Sequence, residues 1–212
     1  MYLEKTIAVV IPAYNEEKLI ARTIDSIPDF VDAIIVVDDS SRDDTANIVR
    51  KEAKKNSKIH LIEHHANQGV GGAIVSGYKM ARDVGIDVTA VMAGDAQMDP
   101  KDLVPVIEPV ASGSADYSKG NRLFHGDAWT MIPHYRYLGN SSLSLMTKIS
   151  SGYWHIADSQ SGYTAISLLA LQRINLDKIY KRYGMPNDIL IRLNQYHFRV
   201  RDVHIRPVYN VG

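Results

Sequence analysis

Val88-Thr89-Ala90-Val91-Met92-Ala93-Gly94-Asp95-Ala96-Gln97-Met98-Asp99-Pro100 passes from an apolar, β-rich run straight into a polar one. Val88–Met92 reads as a strand, and Asp95, Gln97 and Asp99 fall where it runs out. Three oxygen-bearing side chains at one strand end suggest a bound cation. Magnesium and manganese are hard ions that take oxygen ligands and often share them with substrate phosphates, so a phosphorylated substrate is the leading expectation.

Working outward, the same strand-then-helix unit precedes this stretch three times. Thr6–Pro12 is an apolar run, and Asn15–Ile27 follows it with Leu19, Ile20, Ile24 and Ile27 at helical spacing behind an Asn cap. Ala33–Val37 leads to Asp43–Lys55, Lys58–Ile62 to a helix through about Val70–Val84, and Val88–Met92 to Lys101–Ser112. Strands and helices alternating over short links predict an α/β fold, a parallel sheet covered on both faces, with ligands gathered beyond the carboxyl ends of the strands. Beyond Ala115 the rhythm loosens. A strand at Ala115–Lys119, a polar and aromatic loop, a helix over Tyr135–Ser150 and a short strand near Tyr163–Ile166 are expected, then a helix at Asp188–Tyr196 and a final strand at Phe198–Ile205. No Gly/Ser/Pro linker interrupts the chain, which predicts one domain over residues 1–212.

Bulk properties narrow the function. The 212 residues, 45% hydrophobic and 23% charged, suit a single globular core. Lys plus Arg and Asp plus Glu both number 24, so no global field draws in nucleic acid, and phosphate recognition must come from local charge. The absence of cysteine excludes disulfides, a thiolate nucleophile and a zinc ribbon, and fits a cytoplasmic setting. Met1–Thr6 offers no charged-then-apolar leader, and no stretch reaches the roughly 20 apolar residues of a membrane span. Asn210-Val211-Gly212 follows directly on a strand, suggesting a trimmed portion of a longer protein, one with a membrane segment.

Several strand ends carry candidate chemistry. Pro12-Ala13-Tyr14-Asn15-Glu16-Glu17 can present backbone donors to a nucleotide, or Asn15 can simply cap the helix, with Glu16 and Glu17 opposing its positive end. Val37-Asp38-Asp39-Ser40-Ser41-Arg42-Asp43-Asp44-Thr45 holds more polar groups than one cap needs. Alternation sends Asp38 and Asp39 to opposite faces, and one of them can accept from a base N–H or a ribose hydroxyl. Asn67-Gln68-Gly69-Val70-Gly71-Gly72-Ala73 enters a helix and allows either phosphate approach or tight packing. It fails the dinucleotide fingerprint, since Ile74 stands at the third glycine, and Gly72–Lys79 fails the P-loop pattern, since Tyr78 stands at the lysine. His64 and His65 point apart with no third histidine at ligand spacing, which disfavours zinc. No G-x-S-x-G elbow is present. In the second half, Lys119, Arg122, Arg136 and Lys148 are either solvated charges or a phosphate clamp, and Asp158 is either a base or a turn former beside Gly162.

Taken in order, Pro12–Glu16, Val37–Ser40, Asn67–Gly71, Asp95–Pro100, Gly120–Arg122 and Asp158–Tyr163 resemble the motif set of family-2 glycosyltransferases with the GT-A, or nucleotide-diphosphosugar transferase, fold. The likeness covers nearly the whole chain. Lys119-Gly120-Asn121-Arg122 and Asp158-Ser159-Gln160-Ser161-Gly162-Tyr163 look most like the dolichyl-phosphate mannosyltransferase branch. The resemblance implies a mostly parallel central sheet flanked by helices on both faces, with a nucleotide-binding half to about residue 115 and an acceptor half from about 116 to 212. It further implies inverting transfer of a sugar from a UDP- or GDP-linked donor. Asp39 would read the base, Pro12, Tyr14 and Glu16 would line the nucleoside pocket with Asn67 and Gly69 beside it, and Asp95 and Gln97 would hold Mg2+ or Mn2+ on the diphosphate. The ion would offset charge growing on the leaving group.

For the acceptor the resemblance implies a polyprenyl phosphate gripped by Arg122 and Arg136, its oxygen already anionic near neutral pH. A saccharide hydroxyl would instead need a base, and Asp158 is the candidate. Peripheral contact at the cytoplasmic face of the membrane follows from a lipid acceptor. Arg206 loosely matches an arginine that some relatives place near the donor phosphate. The chain departs from the family's D-x-D pattern, which reads Ala93-Gly94-Asp95 here, and Asp99 either compensates or shapes the turn before the helix. Ala93 keeps open a catalytically silent sugar-nucleotide binding module. A nucleotidyltransferase would need a glycine-rich, basic loop after the first strand, and Pro12–Glu17 has neither glycine nor lysine.

Overall fold

In the computed structural model the first two strands, β1 (Ile7–Ala13, IAVVIPA) and β2 (Ala33–Asp38, AIIVVD), are buried almost throughout. Such continuous apolar runs belong to strands covered on both faces. The structure describes residues 1–121, 147–149, 151–154, 156 and 161–205. Further strands are β3 (Ile59–Glu63), β4 (Val88–Val91), β5 (Tyr117–Asn121), β6 (Thr164–Ser167) and β7 (Val200–His204). Among the described residues they form one sheet in the order β3-β2-β1-β4-β6-β5-β7. All pairings are parallel except those of β6, which runs against both β4 and β5.

Helices α1 (Ile20–Asp25), α2 (Thr45–Lys55) and α4 (Leu103–Ala111) cover one face, and α3 (Val70–Asp83), α5 (Leu168–Arg173) and α6 (Met185–Gln195) the other. The strand period divides the core between them. Ile7, Val9, Ile11, Ile34 and Val36 pack on the α1/α2/α4 side, while Val10, Ile35 and Val37 pack on the α3 side. Each fully buried Val or Ile contributes about 1.5–3 kcal/mol, which fixes the strand register firmly. A slip of one residue would exchange the faces of Asp38 and Asp39 at the end of β2.

Three features differ from the sequence expectation. The first helix begins at Ile20 rather than Asn15: Asn15, at a left-handed φ of +58°, gives its Oδ1 to the Arg42 amide rather than to a helix amide, so the Asn cap is not formed. Helix α5 was not anticipated. It has only six residues, and Ser167 starts it by accepting the Ala170 amide at 3.2 Å. The antiparallel sense of β6 was likewise not anticipated, since a four-residue strand carries no direction in its composition. The expected helix over Tyr135–Ser150 lies outside the described residues except at 147–149, which are helical.

Candidate active site

From β1 the chain moves outward through β2 and β3 on one side, while β4 lies on the other, so a crevice opens where the order reverses. At the carboxyl ends of these strands lies a pocket of about 430 Å³, a size suited to a small ligand. Pro12, Tyr14 and Glu16 line it from the end of β1, and Asp39 from the end of β2. Asn67 and Gly69 join from the turn before α3, and Asp95 from the end of β4.

Much of the polar surplus in residues 40–45 stitches two turns together. The Asn15 amide donates to Ser41 Oγ at 2.9 Å, and Asn15 Oδ1 accepts the Arg42 amide at 2.8 Å. Glu16 N–H donates to Thr45 Oγ1 at 2.8 Å, and Glu17 N–H to Asp43 Oδ2 at 3.1 Å. These bonds fix the backbone that carries Tyr14 and Glu16. Tyr14 remains 43% exposed, a ring available for stacking.

Asp38 and Asp39 do face opposite ways. Asp38 Oδ2 accepts the Ser41 amide at 3.2 Å away from the pocket. The Asp39 carboxylate, 4% exposed, turns toward α3 and accepts from His64 Nδ1 at 2.7 Å, the Gln68 amide at 2.8 Å and the Gly69 amide at 2.7 Å. A carboxylate only accepts, so the His64 proton is assigned to Nδ1, and Nε2 meets Ser76 Oγ at 2.8 Å. Asn67 Nδ2 adds a bond to the Asp39 carbonyl at 3.2 Å.

The glycines of this turn answer to packing. A Cβ on Gly69 would lie 2.7 Å from the Lys181 carbonyl oxygen, and one on Gly71 2.5 Å from that of Tyr180. The Gly72 amide donates to the same Lys181 carbonyl at 3.0 Å. The segment so clamped delivers Arg182 and Tyr183 to the pocket rim, two lining residues that sequence reasoning missed. Only a basic, aromatic run, Tyr180-Lys181-Arg182-Tyr183, hinted at them.

Asp95 sits with Ala93 and Gly94 on the opposite wall. Its Oδ1 accepts the Gln97 amide at 3.0 Å, and Ala96 turns the chain with a φ of +54°. Glu16 faces the same space. Its pKa is raised above the ordinary 4.5, first by burial and then by the negative charges of Asp95 and Asp43. Two carboxylates repelling across a cleft form a hard-oxygen environment that fits a divalent cation. Among the described residues no group of three His, Cys, Asp or Glu could hold a metal by itself. That suits magnesium or manganese, which one or two carboxylates hold while substrate phosphates and water complete the shell.

Not every expected residue is brought to the pocket. The Gln97 side chain is exposed and lies outside the lining, and Asp99 Oδ1 instead accepts the Lys101 amide at 2.9 Å, capping the turn before α4. Lys119 is fully buried, its Nζ donating to the Ser161 carbonyl at 2.6 Å, which corrects the expectation of a solvated charge or a clamp. Arg122, Arg136, Asp158 and Arg206 lie outside the described residues.

Comparison with known proteins fits this geometry. Residues 8–174 match the family model described as glycosyl transferase family 2. The chain belongs to that family. It is therefore a glycosyltransferase acting from a nucleotide-sugar donor, in the branch resembling dolichyl-phosphate mannosyltransferases. It is 34% identical to the UDP-N-acetylglucosamine–dolichyl-phosphate N-acetylglucosaminyltransferase of Methanococcus voltae, over 97% of this chain and 87% of that protein. It is 29% identical to the undecaprenyl-phosphate mannosyltransferase of Micrococcus luteus, over 94% of this chain and 82% of that one. The crystal structure of glucosyl-3-phosphoglycerate synthase from Mycobacterium tuberculosis, in complex with Mn2+, UDP and phosphoglyceric acid, superposes with a TM-score of 0.70 at 22% identity, covering 99% of this chain and 72% of that one. The architecture is the GT-A fold.

Proposed function

We propose that this family member transfers a sugar, with inversion and with the help of Mg2+ or Mn2+, from a nucleoside-diphosphate sugar to a polyprenyl phosphate. One observation carries the reading. Pro12, Tyr14, Glu16, Asp39, Asn67, Gly69 and Asp95, drawn from four separate stretches of chain, meet in a single pocket at the strand ends. Tyr14 stacks on the nucleoside, Asp39 accepts from the base, and Asp95, facing Glu16, holds the cation against the diphosphate. When bound, that cation supplies Lewis-acid stabilisation of charge on the departing nucleoside diphosphate.

The fixed turns do the positioning. Holding donor and acceptor in line lowers the barrier by removing motions that solution reactants retain. A phosphate acceptor arrives ionised and needs no strong base, and Arg122 and Arg136 are the proposed clamp for it. Arg206 is proposed as a further contact to the donor phosphate. The names of the relatives from Methanococcus voltae and Micrococcus luteus, both transferases to polyprenyl phosphates, support this acceptor class. A lipid acceptor brings with it peripheral work at the cytoplasmic face of a membrane.

The test is turnover of labelled nucleotide sugars with a polyprenyl phosphate in detergent, with manganese or with chelator. The expected product is a polyprenyl-phosphate sugar formed only with metal. A second reading is favoured by Ala93, which lines the pocket where the family pattern has an acid. Tight nucleotide binding without any product would establish that silent binder instead. Transfer to a saccharide hydroxyl, with none to the lipid phosphate, would move the base role to Asp158.

A further inference from the structure

Asp39 has almost no spare capacity to accept hydrogen bonds. A carboxylate offers about four lone-pair positions, two on each oxygen. Oδ1 spends both of its positions, on the His64 ring and the Gln68 amide, and Oδ2 spends one on the Gly69 amide. A single position on Oδ2 remains, on a residue that lines the pocket. The count is hard to change. Two of the donors are backbone amides in a turn clamped by the 180–182 segment, and the third is a ring 6% exposed whose other nitrogen is held by Ser76.

We infer that the base of the sugar donor is uracil. This rests on the proposed reading of Asp39 as the residue that meets the base. On its pairing edge uracil presents one N–H between two carbonyl oxygens, and so asks for one acceptor position. Guanine presents a ring N–H and an amino group side by side. It asks for two positions, one on each carboxylate oxygen, and Oδ1 has none to give. Cytosine and adenine place a ring-nitrogen lone pair where uracil has its N–H, and a carboxylate repels it.

Arg182 supplies the complementary donor. Its Cγ lies 3.0 Å from where a Cβ on Gly69 would stand, beside the amide that binds Asp39, and the residue lines the pocket. The guanidinium makes no ion pair or hydrogen bond with any described residue. Its N–H groups are thus available to a carbonyl oxygen flanking the uracil N–H.

Calorimetry on the unaltered protein with manganese tests this, using UDP, GDP, inosine diphosphate, CDP, ADP and N3-methyl-UDP as probes. No variant is needed, so folding cannot confuse the outcome. UDP is expected to bind at least about tenfold more tightly than GDP, CDP, ADP and N3-methyl-UDP, because a site with an unmatched polar group rejects the misfit. Inosine diphosphate differs from GDP only by lacking the amino group and is expected to bind more tightly than GDP. GDP binding as tightly as UDP, or more tightly than inosine diphosphate, would overturn the assignment while leaving the transferase reading intact. Failure of every nucleoside diphosphate to bind would overturn both.

Discussion

Replacing Asp95 by alanine removes a carboxylate on which the fold scarcely depends, since among the described residues it accepts only the Gln97 amide. The Asp95→Ala protein is expected to fold with a Tm near that of the parent and to lose at least about a hundredfold in kcat/KM, as befits the loss of a preorganised electrostatic group. Melting curves beside steady-state rates check both halves. Glu16→Gln, in contrast, relieves a carboxyl whose pKa burial and neighbouring charge have raised. Because much of that side chain meets solvent, the gain in stability without metal is expected to be no more than about 0.5 kcal/mol, while metal-dependent nucleotide binding weakens. At this scale the sequence exposed the residues that end strands, because apolar runs stopping at Asp39 and Asp95 are visible without coordinates. His64 and Arg182 were hidden for a physical reason. Their roles depend on partners distant in the chain: His64 lies 25 residues from Asp39, and Lys181, next to Arg182, meets Gln68 across 113 residues. Lys119 was misread because a buried ammonium satisfied by a carbonyl looks, in sequence, like any surface charge.

Among elements, the starts of β1 and β4 are tied by Asp87, whose Oδ2 accepts the Thr6 amide at 3.0 Å and the Thr6 hydroxyl at 2.8 Å. The Thr6 amide foremost holds the Asp87 pKa below its ordinary 3.8. A depressed acid stabilises the native state above its unfolded pKa, and that contribution fades as pH falls through the folded value. Asp87→Ala is expected to cost about 1 kcal/mol at neutral pH for this partly exposed group, with the gap from the parent closing as pH drops below 3.8. Urea melts across pH measure it, and a gap unchanged into strong acid would contradict the assignment. The contact between α3 and the 180–182 segment yields a second expectation. Gly71→Ala would set a Cβ 2.5 Å from the Tyr180 carbonyl oxygen, and is expected to cost about 1–3 kcal/mol of stability and to weaken UDP binding by displacing Arg182 and Tyr183. The β-α alternation was readable because long apolar periods dominate α3 and the central strands. Element starts were less so, since Asn15 spends its side-chain oxygen on the Arg42 amide, 27 residues away, rather than on a helix amide.

For the molecule as a whole, strand order matters more than any single contact. The sheet places β1 and β4 side by side with Asp39 on the neighbouring strand end, so the Asp95 and Asp39 walls face one crevice although their elements are far apart in sequence. The ordered motifs lead to the expectation that these strand ends share one site. Balanced charge, 24 against 24, leaves local carboxylates and arginines to govern binding. A ligand held only by the native state at about a hundred times its Kd adds about 2.7 kcal/mol, so UDP with manganese is expected to raise Tm by about 5–10 °C. The most direct measurement is a crystal grown with UDP and Mn2+, with the ion located by its anomalous scattering. A manganese peak within coordination distance of an Asp95 carboxylate oxygen, with the diphosphate next to it and the base beside Asp39 and Tyr14, is the expected result. Manganese bound elsewhere, or UDP outside this pocket, would contradict it.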